Sequence, residues 1–187
     1  MTRYLLIMLG FISNPLFAYT GFGICNHGNE TLASVICDGP SVFKQTTVKG
    51  DMKISGTLQA EGVTAGSLTV LGDTQISNSQ VKGRTNIVGS LKANNVRFEK
   101  GLNVESDKIF LSQSEVKGSL IITSKDKTPY IELQCGSVIK GNILFDGKAG
   151  VIKVTVNSAS QGKIQNGSSV FVETPAIKGN CENEITE

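Results

Sequence analysis

Apolar and polar residues alternate in short runs through most of the chain, and these runs return at a nearly constant interval. A period of two residues is typical of a β-strand that buries one face, because successive side chains point to opposite sides. Gly, Asn and Ser stand between the runs, and these residues favour turns. No segment after residue 20 has the 3.6-residue period of a helix. The pattern therefore predicts an all-β protein built from many short strands.

A repeated phrase sets the interval. Residues 48–60 read VKGDMKISGTLQA and residues 81–93 read VKGRTNIVGSLKA, with the same residue at seven positions. Aligning the chain on this phrase gives one anchor per unit, at Gly50, Gly66, Gly83, Lys100, Gly118 and Gly141, with a less regular one at Gly162. The first four steps are 16 to 18 residues long, and the last two are 23 and 21. Such regular spacing indicates a repeat array.

Equivalent positions in each unit carry equivalent residues. Two residues before the anchor stand Val48, Thr64, Val81, Phe98, Val116 and Ile139. Two and four residues after it stand Met52 and Ile54, Leu68 and Val70, Thr85 and Ile87, Leu102 and Val104, Leu120 and Ile122, Ile143 and Phe145. A second run begins at Leu58, Thr74, Leu91 and Ile109, and a third, shorter contact falls at Val63, Ser79, Val96 and Ser114. Each unit therefore offers two or three inward-facing segments.

A unit of this length is too short for two packed helices, but it fits one turn of a parallel β-helix. We expect a single-stranded, right-handed parallel β-helix, or solenoid, of about six to seven turns of about 17 residues, since parallel crossovers are nearly always right-handed. The alternative is a β-sandwich, which needs hairpins and leaves the equal spacing unexplained.

The first residues resemble a secretory signal peptide. Arg3 supplies a positive charge, an apolar run extends from Tyr4 to Ile12, Pro15 breaks it, and the small residue Ala18 follows. The run is too short to span a bilayer. We expect residues 1–18 to be removed on export, to the periplasm, the outer surface or the medium of a Gram-negative bacterium, leaving no transmembrane span.

The boundaries of the repeat divide the remaining chain into three parts. Residues 46–165 form the predicted β-helix, residues 19–45 a predicted N-terminal cap and residues 166–187 a predicted C-terminal cap or tail. The longer late steps place loops near residues 124–130 and 146–150.

The predicted export suggests that the four cysteines form disulfides. An even number in an oxidising compartment indicates two disulfides, for which three pairings are possible. We predict Cys25–Cys37 within the N-terminal segment and Cys135–Cys181 between the fifth turn and the tail. A metal site is not expected, because C-x-x-C is absent and His27 is the only histidine.

The phrase V-K-G-x-x-x-I-x-G-x-L-x-A, with its variants VKGSLIITS and VIKGNILFD, resembles the repeats of bactofilins over about residues 46–165. That resemblance implies a short right-handed β-helix and, in the bacterial cytoskeleton, end-to-end filaments formed without nucleotide. The predicted signal peptide and paired cysteines distinguish this chain from bactofilins, which are cytoplasmic. Caps at both ends would instead favour a monomer or a small homo-oligomer.

Catalytic chemistry is not expected from these residues. The carboxylates that an acid–base pair would need are scattered, at Asp51, Asp73, Glu99, Glu105 and Asp107. The chain has no Trp to stack on sugars, and no glycine stands in a phosphate-binding loop before a helix. We therefore predict a protein that is not an enzyme and needs no cofactor or metal.

A row of lysines is the main candidate for partner binding. Lys49, Lys82, Lys117 and Lys140 precede their anchors, and their parity predicts that they point outward, with Ala65 and Glu99 interrupting the row. The insertion near residues 124–130 adds Lys125, Lys127 and Tyr130. A solvated charged face that prevents sheet pairing is the simpler interpretation. The functional one is contact with an anionic surface polymer, lipid headgroups or an envelope protein.

The charges as a whole set limits on the partner. Eighteen basic residues nearly balance 16 acidic ones, which does not suggest a nucleic-acid binder. The leading expectation is an exported structural, scaffold or interaction module of the bacterial envelope, acting alone or as a component of a larger assembly. The alternative is a polysaccharide-binding or polysaccharide-modifying β-helix.

Overall fold

A computed structural model describes residues 17–155 and 157–172 of the chain. Its strands wind into an all-β, right-handed parallel solenoid of about nine turns, with successive turns roughly 17 residues apart. Every strand pairing among these residues is parallel, as the repeat predicts and as a hairpin-built sandwich would not allow. The predicted fold class is therefore confirmed.

Three faces run along the solenoid. The first face is formed by β1 (Ala18–Phe22), β4 (Ser34–Asp38), most of β6 (Thr47–Ser55) and of β8 (Thr64–Leu71), β10 (Thr85–Val88), β12 (Leu102–Glu105), β15 (Leu120–Ser124), β18 (Ile143–Gly147) and β21 (Ile164–Gln165). The second face is formed by β2 (Cys25–Gly28), β5 (Ser41–Lys44), β7 (Leu58–Glu61), β9 (Thr74–Val81), β11 (Leu91–Phe98), β13 (Lys108–Ser112), β16 (Tyr130–Gln134), β19 (Gly150–Val154) and β22 (Gly167–Phe171). The third face is formed by β3 (Thr31–Leu32), β14 (Glu115–Val116), β17 (Val138–Ile139), β20 (Ala159–Ser160) and the ends of β6, β8, β9 and β11.

The buried columns follow the predicted register on the first face. Met52 pairs with Leu68, Leu68 with Thr85, and the same column continues through Leu102, Leu120 and Ile143. The column two residues further on behaves in the same way: Ile54, Val70, Ile87, Val104, Ile122 and Phe145 are all at most 1% exposed. The core is thus a stack of inward side chains, each packed against its equivalents in the turns on either side.

One predicted column member is wrong. Ala65, not Thr64, pairs with both Val48 and Val81 and is 1% exposed, while Thr64 points outward. The register shifts between Val48 and Asp51, where β6 holds one more residue than β8. This β-bulge displaces the column by one position.

The solenoid has more turns than the predicted six or seven because pairing begins earlier in the chain. Residues 19–45, which we predicted as an N-terminal cap, form strands in register with later turns: Val35 pairs with Met52 and Cys37 with Ile54. β22 adds pairing beyond residue 165 at the other end. The predicted signal peptide, except for its last two residues, and the predicted tail after residue 172 lie outside the described residues.

Stacked glycines form the corner between the third and first faces. A Cβ atom on Gly118 would lie 2.6 Å from the carbonyl carbon of Lys100, and Cβ atoms on Gly66, Gly83 and Gly141 would overlap the backbone of the preceding turn. The absence of a side chain therefore lets successive turns approach closely. The glycines of the repeated phrase are explained by this contact.

The corner between the second and third faces uses left-handed backbone. Its successive residues, Asn29, Gln45, Gly62, Asn78, Asn95, Gln113, Cys135 and Asn157, have φ values between 48° and 66°. Asn is one of the residues that tolerate this conformation best. The Asn95 side chain also donates a 2.8 Å hydrogen bond to Asn78, which links two turns on the outside.

The serines of the third predicted contact form a buried hydroxyl ladder. Ser79 Oγ accepts a 2.9 Å hydrogen bond from the backbone N–H of Val63, and Ser114 Oγ accepts one of 3.1 Å from Val96. Ser137 and Ser158 continue the same pattern in the next turns. Buried backbone N–H groups at this corner are thereby satisfied by side chains rather than by strand pairing.

Candidate interaction surfaces

A disulfide crosses the interior of the first turns. Cys25 and Cys37 are bonded, as predicted, with their Cα atoms 6.2 Å apart and both side chains fully buried. The bond joins β2 to β4, so it ties the first turn to the second from inside. The other predicted bond, Cys135–Cys181, stays a prediction because Cys181 lies outside the described residues.

His27 belongs to the core next to this disulfide. Its ring stacks on Phe43 at 5.0 Å between centroids and meets Tyr19 edge-on at 4.2 Å. Nδ1 lies 2.8 Å from a Glu30 carboxylate oxygen. Among the described residues, no group of three or more His, Cys, Asp and Glu side chains is placed to hold a metal ion. The arrangement is that of a packed aromatic cluster.

The predicted lysine row is exposed. Lys49, Lys82, Lys117 and Lys140 all point into solvent at the end of the third face. Ala65, assigned to the same row, is buried, because the bulge at residues 49–50 shifts the register. Gly66 follows Ala65 at this corner, so the third turn contributes no charge to the row.

Half of the row is neutralised by neighbouring turns. Lys117 Nζ lies 2.6 Å from Glu99 Oε2, and Lys140 Nζ contacts a carboxylate oxygen of Glu115. Arg97 Nε is 3.0 Å from the other oxygen of Glu115. The hydrogen bond from Lys117 lowers the pKa of Glu99, and the one from Lys140 lowers the pKa of Glu115. These charges tie the turns together along the third face.

Lys49 and Lys82, unlike Lys117 and Lys140, are not neutralised by a neighbouring carboxylate in the described part of the chain. Within residues 17–155 and 157–172, neither side chain has an ion-pair partner. Arg84 and Lys100, which we did not predict as partner-binding residues, lie beside them at the same corner, exposed and likewise without an ion pair in that range. The spacing of the anchors could have found them, since Lys100 is itself an anchor and Arg84 directly follows one.

The lysines of the loop at residues 124–130 form ion pairs with carboxylates of the preceding turn. Lys127 Nζ lies 3.1 Å from Asp107 and Lys125 Nζ 3.7 Å from Glu105. The hydrogen bond from Lys127 lowers the pKa of Asp107. These side chains line a shallow cavity of about 270 Å³. Tyr130, which we grouped with them, is half-buried in β16 and pairs with Lys108 and Val151 on the second face.

The scattered carboxylates are held by hydrogen bonds across turns. Asp51 accepts a 2.6 Å bond from the Ser67 hydroxyl. Asp73 accepts one of 2.7 Å from the Ser90 hydroxyl and another of 2.9 Å from the Ser90 backbone, and these bonds lower its pKa. Each carboxylate thus links one turn to the next.

A second shallow cavity, of about 400 Å³, lies along the left-handed corner. It is lined by Asn78, Asn95, Gln80, Arg97 and Glu115 among others. Its charged residues are the members of the third-face network described above. The polar side chains that line this cavity already bond to one another, so a small polar ligand would have to compete with those bonds.

Comparison with protein-family models found no matching family, and comparisons with curated proteins and with solved structures found no match. In the described part of the chain, no helix is long and apolar enough to cross a bilayer.

Proposed function

We propose that this protein is an exported structural or interaction module of the bacterial envelope, and that it acts by presenting a rigid solenoid rather than by catalysis. The observation that carries the proposal is the pairing of polar side chains from turn to turn along the outside. Glu99 with Lys117, Asp73 with Ser90 and Asn78 with Asn95 each connect successive turns. Side chains used in this way stiffen a rod and are not free for proton transfer.

Export is supported by the disulfide between Cys25 and Cys37. Disulfides persist in oxidising compartments and are rare in the bacterial cytoplasm. The buried position of both sulfur atoms also gives the bond a structural role. Together with the signal-like residues 1–18, the disulfide supports our proposal that the mature protein lies in the periplasm, on the outer surface or in the medium. Cleavage after Ala18 would remove exposed Phe17 and leave most of β1.

Assembly separates this proposal from the filament-forming role that the bactofilin resemblance implies. The disulfide and the His27 cluster fill the interior of the first turn and fix β1 in place. We propose that this locked first turn does not act as an open end, because a blocked end cannot template a further chain. We expect a monomer or a small homo-oligomer, with partners meeting a lateral surface.

The test is the molar mass of the protein released from the periplasm, measured by light scattering on a sizing column. A single discrete species is expected, and reductant should leave its molar mass unchanged because Cys25–Cys37 lies within one chain. Electron microscopy of the same sample provides the contrast: long unbranched filaments of the oxidised protein would contradict the proposal. Filaments that appear only in a variant lacking β1 would instead confirm that the first turn covers a latent end.

A further inference from the structure

We propose that one edge of the solenoid, defined here as the basic edge and formed by Lys49, Lys82, Arg84 and Lys100, docks a linear acidic polysaccharide. The inference rests on the proposed function, since it names the partner of a lateral surface. It differs from the row expected in the sequence, because Lys117 and Lys140 are replaced by Arg84 and Lys100.

The register of the strands places these residues together. The Lys82 N–H donates a hydrogen bond to the carbonyl of Ala65. Ala65 pairs with Val48 of the preceding turn, and Lys49 directly follows Val48. Lys100 stands in the glycine column next to Gly118, and Arg84 directly precedes Thr85, which pairs with Leu102. Lys82, Arg84 and Lys100 therefore occupy two adjacent turns. Because consecutive turns are about 4.8 Å apart, the backbone of Lys49, two turns before Lys82, lies about 10 Å from that of Lys82.

The charges of the basic edge are uncompensated. All four side chains are exposed, and no carboxylate within residues 17–155 and 157–172 forms an ion pair with any of them. Asp51, the carboxylate near Lys49 on this edge, accepts a hydrogen bond from the Ser67 hydroxyl and keeps its charge, but it forms no ion pair with Lys49. Like charges at this spacing repel by about 1 kcal/mol or less in water. A bound polyanion would remove that repulsion. Lys117 and Lys140 gain less from such a partner, because Glu99 and Glu115 already neutralise their charges.

The near-neutral net charge conceals this separation. Acidic residues concentrate on the opposite edge, between the first and second faces, at Asp38, Asp73, Glu105, Asp107, Asp126 and Asp146. Lys125 and Lys127 on that edge are paired with acids, whereas exposed Lys108 and Lys148 there have no ion-pair partner among the described residues. An anionic polymer would therefore be drawn to one edge and repelled by the other, which orients it along the rod.

Two features favour a glycan over a membrane or a nucleic acid. The exposed large apolar side chains of the described residues lie away from this edge. Phe17, Phe22, Ile24, Val170 and Phe171 lie at the ends, Ile36 lies within β4 on the first face, and Leu71 and Val88 lie toward the acidic edge. The basic edge thus lacks an apolar group to enter a bilayer and an aromatic ring to stack on a base. Its neighbours are Ser67, Ser119 and Asn142, which can bond to sugar hydroxyls.

The experiment measures binding of the protein purified from the periplasm to polygalacturonate and to heparin by calorimetry. The double variant Lys82→Glu/Arg84→Glu reverses two charges on the basic edge. The matched control, Lys44→Glu/Lys148→Glu, makes the same change in net charge at exposed positions on other surfaces. Unfolding curves of both variants establish that they fold. We expect binding to at least one polymer, weakened roughly tenfold by the edge variant and less than about twofold by the control.

Each other outcome decides against the proposal. Equal losses in the two variants would mean that net charge and not the basic edge governs binding. Binding to phosphatidylglycerol vesicles or to single-stranded DNA, without binding to either glycan, would assign the edge to that other partner. No binding to any of these probes would overturn the basic edge as a docking site, while the molar mass and filament measurements would still test the envelope module separately.

Discussion

Replacing Ile87 by Asp tests the register of the whole solenoid, because this side chain sits at the centre of a buried column. Ile87 is 1% exposed and packs between Val70 and Val104 of the adjacent turns. Truncation to Ala would already cost about 2–5 kcal/mol of unfolding free energy through lost burial and a residual cavity. Asp adds the desolvation of a carboxylate with no partner, a further cost of several kcal/mol. The sum is comparable to the total stability of a typical domain.

The location makes the loss disruptive. Each turn of a solenoid packs only on its neighbours, so a failed central turn also separates the two halves. The matched control is Val88→Asp in the same strand, where the side chain is 43% exposed. Glu105 lies opposite Val88 on the next turn, so the like charge should cost less than about 1 kcal/mol.

The assay is denaturant unfolding followed by far-UV circular dichroism, repeated at several pH values. Burial raises the pKa of an introduced carboxyl group, so the folded Ile87→Asp variant would bind a proton more readily than its unfolded form. Its deficit relative to Ile87→Ala should therefore shrink as the pH falls toward the pKa of an unfolded Asp, about 3.9. Equal losses for Ile87→Asp and Val88→Asp at neutral pH would refute the assigned register.

Three further predictions concern other contacts. Replacing Cys25 and Cys37 together by Ala should lower the free energy of unfolding by about 2–4 kcal/mol and expose the first turns to protease, whereas an unchanged protease pattern would argue against a structural bond. Gly118→Ala should lower the free energy of unfolding by about 1–3 kcal/mol, because the new Cβ atom would overlap the backbone of the preceding turn. Gly101→Ala should lower it less, since its Cβ atom would lie 3.3 Å from the nearest atom. The reverse order in thermal unfolding would contradict the glycine stack. Glu115→Gln should lose less than about 1 kcal/mol at pH 7 and still less near pH 3, because the lowered pKa contributes stability above the unfolded value of about 4.3 that disappears as the pH falls through the folded value; a difference that grows in acid would refute this ion-pair role.

Much of the fold could be predicted from the sequence because the interior of the middle turns is aliphatic. Met52 and Leu68 mark their columns by size and by a period of two, so the register of six turns followed from spacing alone. The first turns were missed because the same columns hold Cys37, His27 and Ser41, which do not look like core residues. Their burial depends on a disulfide and a ring stack, and neither is visible as periodicity.

The candidate surface was only partly predictable. Parity correctly placed Lys82 outside, since outward positions alternate with buried ones along a strand. It could not tell a paired lysine from an unpaired one, because the contact of Lys117 with Glu99 spans two turns and depends on how both side chains are directed. We assigned Thr64 instead of Ala65 to the buried column because a one-residue bulge shifts the register, and the pattern of apolar residues does not reveal this bulge.

The most direct test of an exported, disulfide-closed module is the intact mass of the protein from fractionated cells, measured after thiol alkylation without reduction. The account predicts a periplasmic or extracellular chain that begins at Tyr19. It should carry no alkyl groups if Cys135–Cys181 forms as we predict beside Cys25–Cys37. Recovery of the chain from the cytoplasm with residues 1–18 attached and with alkylated Cys25 and Cys37 would contradict it.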